Sequence, residues 1–262
     1  MTSLVLRDFE PDFLDDVRRE VLEYALTSKP FTYNRMKKPV RQCVENIAKG
    51  KFVERLFVAT CRRHGIAVDV DRCTTPFWAR DYRDFVFMGR EWDVKSLFLH
   101  AIPPNDQFDD CLALVPNDTK SDQWATREVR YVPDLAEPPA YIFVFFGPLD
   151  FRINLTSVQE SFLRKLCQIH GEKAASQQPF TKDWFVDSFP QYHDVDLKLS
   201  SSPVMAITGF ASCNEWSQFR PFAPGPVSVG GRDVYRTRIV NMAAKAGELP
   251  SFPSFAGWGN SD

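Results

Sequence analysis

The run Tyr141-Ile142-Phe143-Val144-Phe145-Phe146 leaves few folds open to the chain. Six consecutive aromatic and aliphatic residues have the length and composition of a strand, and with no polar position in the alternation neither face can meet water. Such a strand needs cover on both sides, which predicts a layered α/β architecture with this strand central in a sheet. Helical periodicity offers the cover. Residues 11–28 place Leu14, Val17, Val21, Tyr24 and Ala25 on one face, with Lys29-Pro30 as the expected stop. Residues 150–168 bring Val158, Phe162, Leu166 and Ile169 into phase, and 180–189 read as a short aromatic helix. Further strands are expected at 66–70, 111–115 and 204–210, and a short helix at 214–219.

A second constraint comes from Asp84-Phe85-Val86-Phe87-Met88-Gly89-Arg90-Glu91-Trp92-Asp93-Val94-Lys95-Ser96. Two strand-like runs flank Met88-Gly89, where glycine supplies the positive φ of a tight turn, so a β-hairpin is predicted. That turn pairs Phe87 with Arg90, Val86 with Glu91, Phe85 with Trp92 and Asp84 with Asp93. Strand alternation then adds Lys95 to the face of Asp84 and Asp93, while Phe85, Trp92 and Val94 point into the core. Two opposed carboxylates repel each other, a poor choice for stability and a sensible one for gripping a divalent cation. A solvated Asp–Lys pair on a surface hairpin is the alternative reading.

The preceding helix bears on the choice. Residues 50–64 form an amphipathic pattern ending at Gly65, with Gly50, Val53, Glu54, Phe57, Val58 and Cys61 on one face. Glu54 therefore falls on the apolar face, where a carboxylate needs a partner cation or a metal; Arg55 and Arg62 are the cations in reach.

An acid opening a hairpin, followed on the next strand by Asp93-Val94-Lys95, resembles the PD-(D/E)XK nuclease superfamily, and type II restriction endonucleases in particular. Glu54 matches the helix acid of that superfamily. Arg83 departs from its signature, which has proline before the first acid. Asp81 is a rival first acid, with the wrong parity to share a face with Asp93 unless a bulge intervenes. The resemblance covers about 50–96 and implies a restriction-endonuclease-like mixed central sheet flanked by helices. It also implies Mg²⁺-dependent hydrolysis of phosphodiester bonds in double-stranded DNA. Asp84, Asp93, the Val94 main-chain carbonyl and Glu54 would hold the metal, and Lys95 would orient or deprotonate the attacking water. A homodimer and a cognate DNA methyltransferase are the implied partners. A structure-selective resolvase or repair nuclease on the same site, and a catalytically silent nuclease-like binding module, are the competing readings.

The chain reads as one domain over 1–262: an N-terminal helical part at 1–49, a catalytic core at 50–210, and a recognition or dimer extension at 211–262. Arg35, Lys37 and Lys38 ahead of the helix, and Arg232, Arg236 and Arg238 on a late strand, are candidate DNA contacts. Net charge of −2 excludes a coating protein of the histone type, so any positive charge for DNA must be gathered locally. Six scattered cysteines without a C-x-x-C pair exclude the common zinc and redox motifs. His64, His100, His170 and His193 stand beside those cysteines without a nucleophile motif, which argues against a Cys/His hydrolase. No long apolar run or leader pattern is seen, and a cytoplasmic, non-membrane protein is expected. Phe252, Phe255 and Trp258 predict a Pro/Gly-rich tail that docks.

Overall fold

The computed structural model describes residues 3–7, 9–32, 38–79, 83–116, 132, 134–148, 150–171, 179–199 and 203–253. In chain order the strands and helices are β1 (Leu4–Leu6), α1 (Pro11–Thr32), α2 (Val40–Arg63), β2 (Phe85–Phe87), β3 (Arg90–Phe98), β4 (Leu112–Pro116), β5 (Ala140–Gly147) and β6 (Phe151–Ile153). They continue with α3 (Ser157–Gly171), α4 (Lys182–Ser188), β7 (Leu197–Leu199), β8 (Val204–Ala211), β9 (Arg220–Phe222), β10 (Gly225–Val229), β11 (Arg232–Thr237) and β12 (Asn241–Lys245). The architecture is mixed α/β around a five-stranded sheet of order β1-β8-β5-β3-β2. β3 and β5 run parallel and the other pairs antiparallel.

The predicted central strand is β5, buried along its whole length. Alternation divides its side chains between two cores. Ile142, Val144 and Phe146 join the helices α1, α2 and α3 on one face, while Tyr141, Phe143 and Phe145 face the other. That second face is covered by strands rather than by the expected helices: β4, β12, β10 and β11 supply Ala113, Val115, Ala243, Val227 and Val234. An apolar strand face is satisfied by any apolar layer, so hydrophobicity predicts cover without its class.

Helix limits differ where packing overrides local signals. α1 runs through Pro30 to Thr32, since Leu26, Thr27, Ser28 and Lys29 are buried and hold the last turn despite the lost N–H. α2 begins at Val40, ten residues before the expected start, and crosses the anticipated boundary at 49/50. Its C-terminus is as expected: Gly65 has φ +72° and Ile66 N–H donates to the Cys61 carbonyl. α3 is rotated from its predicted phase, with Leu163 and Leu166 buried and Val158 and Ile169 exposed. Residues 66–70 form no strand; Asp69 makes one bridge to Val86. Among the described residues no helix is long and apolar enough to cross a membrane.

The end of the described chain docks as expected through Phe252, which is 1% exposed. Its ring lies 5.6 Å from Phe57, 5.5 Å from Phe87 and 4.9 Å from Trp92, between α2 and the hairpin. Phe255 and Trp258 lie outside the described residues.

Candidate active site

The hairpin has the register its turn dictates: Phe85 opposite Trp92, Val86 opposite Glu91, Phe87 opposite Arg90. Met88 and Gly89 both have positive φ, 48° and 67°, as a two-residue turn matching strand twist requires. The ladder ends there, and Asp84 does not pair squarely with Asp93. Its backbone N–H instead donates to the Trp92 carbonyl at 2.8 Å. Its carboxylate reaches past the end of β2 to accept the Val94 N–H at 2.6 Å. The Val94 carbonyl shares that edge of β3, because N–H and C=O of one strand residue point the same way.

Asp93 and Lys95 share the other face of β3 as alternation requires, and Lys95 Nζ sits 2.6 Å from Asp93 Oδ2 with both side chains largely buried. The ammonium also lies 4.5 Å from the centre of the Tyr141 ring. Burial alone would lower the Lys95 pKa. The Asp93 carboxylate, with Tyr141 and Asp84, outweighs burial and holds it above the ordinary lysine value. In this arrangement Lys95 is held as a cation beside Asp93.

Glu54 is buried on α2, as the periodicity requires, with a partner that the sequence pattern misplaced. Lys51, rather than Arg55 or Arg62, is itself buried and makes the ion pair at 2.7 Å. Its ammonium lies 4.6 Å from the centre of the Tyr24 ring of α1. Arg55 approaches Glu54 only to 3.9 Å and pairs with Glu20 at 3.0 Å. A carboxylate one turn from a lysine is a signal the sequence did contain.

Asp84 is where these groups meet. Burial, then the Glu54 and Asp93 carboxylates, push its pKa well above the ordinary 3.8, against Lys51 and the Val94 N–H. An acid raised in the folded state stabilises the fold below its unfolded pKa and loses that contribution as pH rises through the folded value. Asp84→Asn keeps an acceptor for Val94 and removes the charge. In EDTA, its melting temperature is expected to match the wild type near pH 4 and to exceed it increasingly as pH rises to about 9. A variant that melts below the wild type at the alkaline end would show that the ionised carboxylate is a net stabiliser.

Arg83, just ahead of Asp84, is 5% exposed, with Nε 3.8 Å from Oε2 of buried Glu91. The other Glu91 oxygen accepts the Val132 N–H. This position thus serves a second buried pair behind the hairpin. Asp81 lies outside the described residues.

The chain matches no known protein family, no curated protein and no solved structure.

Among the described residues no three Asp, Glu, His or Cys side chains stand together as a ready-made metal group. The Asp84 carboxylate at the edge of β3, with Val94 on that edge and the Asp93 carboxylate on the adjoining residue, is nevertheless a donor set of the kind that Mg²⁺ takes, since it keeps several waters and is held by one or two carboxylates plus substrate phosphate. The upward push on the Asp84 pKa is the electrostatic condition that a bound cation would relieve.

The candidate DNA contacts that lie among the described residues are not brought to this site. Lys38 is exposed just before α2, and Glu54 lies fourteen residues past Val40, about 21 Å along the helix axis. Arg35 and Lys37 lie outside the described residues. Arg232 and Arg236 are exposed on β11, while Val234 between them and Tyr235 are both buried, so strand alternation is broken there. The register passes from Val227 opposite Tyr235 to Ser228 opposite Asp233, so Val234 is the extra residue of a bulge in β11. The β11 strand packs beyond the far end of β3, where His100 N–H donates to the Val234 carbonyl at 2.9 Å. Arg238 follows β11 in an exposed bend. The cations near the carboxylates are instead Lys51, Arg55 and Lys95, with Lys182 of α4 across a cavity.

Proposed function

We propose that this chain is a Mg²⁺-dependent DNA endonuclease of the PD-(D/E)XK kind, built on a restriction-endonuclease-like core and cutting phosphodiester bonds in duplex DNA. The observation that carries the reading is the linkage at the edge of β3. Asp84 bonds the Val94 N–H while Asp93 and Lys95, either side of Val94, form a tight ion pair. Three consecutive residues thus present an acid, a carbonyl edge and a fixed cation, beside an acid from the neighbouring strand.

Asp84 and Asp93 would hold Mg²⁺, with the Val94 carbonyl on the same edge and Glu54 behind Asp84. When bound, the ion would supply an activated water and stabilise charge building on the phosphate. Lys95 would orient or deprotonate the attacking water, and its ion pair fixes the orientation of Asp93. Glu54 acts through Asp84, and Lys51 prevents the two carboxylates from meeting unscreened. Incubating the protein with plasmid and phage DNA tests the reading: discrete fragments with Mg²⁺ and intact DNA in EDTA are expected.

A catalytically silent nucleic-acid-binding module is the second reading, favoured by one observation: Glu54 and Asp93 are already paired with Lys51 and Lys95. Intact DNA under both conditions would select it.

Cutting both strands of a two-fold duplex is matched most simply by two copies of the chain. Light scattering of the 30.1 kDa chain at micromolar concentration is expected to give about 60 kDa. A 30 kDa species that nicks one strand would replace the dimer with a nickase or repair enzyme. A restriction role would further imply a partner methyltransferase that modifies the same DNA site.

A further inference from the structure

Beside Glu54 and Asp84 opens a cavity of about 320 Å³, within the size range of small-molecule sites. Its walls come from α1, α2, the 73–78 segment, Arg83 and Lys182. The lining has a definite chemistry. Lys51, Arg55, Arg83 and Lys182 bring four cations to it against the Glu54 and Asp84 carboxylates, and Thr74 and Thr75 bring hydroxyl groups. Trp78 stands on the wall with 44% of its surface exposed, and is braced edge-to-face against Phe77 at 4.9 Å and 85°.

These features select among occupants. An inorganic anion would satisfy the cations but has no use for a wide cavity with an exposed indole. A purely apolar ligand would strand the charged groups. A flat heteroaromatic ring joined to a phosphate satisfies both, by stacking on the indole and pairing with lysine and arginine. Two of the cations can turn toward such a ligand at little cost: Arg55 and Lys182 pair with Glu20 and Glu23, whose side chains are exposed by 58% and 38%. Asp84 belongs both to the cavity and to the carboxylate group at β3. A nucleotide seated there would therefore lie next to the bond to be cut.

We propose that the cavity seats one unstacked nucleotide of the substrate strand, its base on Trp78 and its phosphate toward Lys51, Arg55 and Lys182. The inference rests on the nuclease reading and adds a substrate preference to it. DNA with a frayed, bulged or single-stranded nucleotide at the cleavage point should bind better than continuous duplex, since extraction from the stack is then already done.

Fluorescence anisotropy in EDTA, with a short fluorescein-labelled single-stranded DNA and with a blunt duplex, tests this without requiring turnover. Wild type is expected to prefer the single strand. Trp78→Ala should weaken single-strand binding about tenfold and blunt-duplex binding by about twofold or less, and Trp78→Phe should restore most of the loss. Equal losses on both DNAs, or none on either, would overturn the proposal. Its failure is separable from that of the nuclease reading. Cleavage that depends on Asp93 with no effect of Trp78→Ala removes the nucleotide seat alone. Trp78-dependent binding without Mg²⁺-dependent cleavage keeps the seat and removes the nuclease.

Discussion

Asp93→Ala is expected to reduce Mg²⁺-dependent cleavage of plasmid DNA by roughly a thousandfold or more, the scale on which one preorganised charged group acts in a reacting centre. The variant loses a proposed metal ligand and at the same time leaves Lys95 without its 2.6 Å partner. Lys95→Ala should fall comparably through loss of the fixed cation, whereas Lys95→Arg keeps the charge and alters its geometry. Circular dichroism of Asp93→Ala should still show the wild-type fold, because the alanine keeps the strand backbone of β3 and Asp93 is only partly buried. Wild-type cleavage by folded Asp93→Ala would sink the nuclease assignment. An inactive Asp93→Ala beside an active Asp84→Ala would leave the chemistry and reassign the first acid, with Asp81 next in line.

The largest expected stability effect lies at Phe252. Phe252→Ala should cost about 3–5 kcal/mol, read as a lower urea midpoint with an unchanged slope. The ring contacts Phe57 on α2 and both Phe87 and Trp92 on the hairpin, so its removal opens a void between the element that carries Glu54 and the one that carries Asp93. The chain around it is tied by main-chain bonds: Phe210 N–H donates to the Pro250 carbonyl at 2.8 Å, and Ser251 bridges Gly209. These bonds limit collapse of the void, which favours the upper part of the range. A loss below about 1 kcal/mol would show that the tail is an adherent rather than a structural part of the core.

The parts of this architecture that were legible in the sequence are those fixed by local rules. The hairpin register follows from a two-residue turn and strand alternation, and it holds pair for pair from Phe85 to Arg90. The burial of Glu54 follows from helical periodicity, and the centrality of β5 from an apolar run without a polar break. Long-range packing hid the rest. Lys51 is drawn inward because Tyr24, on another helix, offers its ring face. The strand cover over Phe143 and Phe145 depends on segments far along the chain, and the separation of the basic residues from the carboxylates depends on which end of β3 receives β11. The cavity at Trp78 needs two helices, a loop and α4 at once, and no window of sequence contains it.

The strand β5 has a kinetic consequence. Its partners are β3, from the residue nineties, and β8, which begins only at Val204, so neither edge of this aromatic run is closed by a near neighbour in the chain. During synthesis the segment emerges long before β8 exists, uncharged, strongly β-prone and free of proline within Tyr141–Phe146. Self-association of nascent or refolding chains then competes with closure of the sheet, and the competition sharpens with concentration. The strand that makes the folded molecule cohere is thus the one that makes dilute, slow refolding the condition for recovering it.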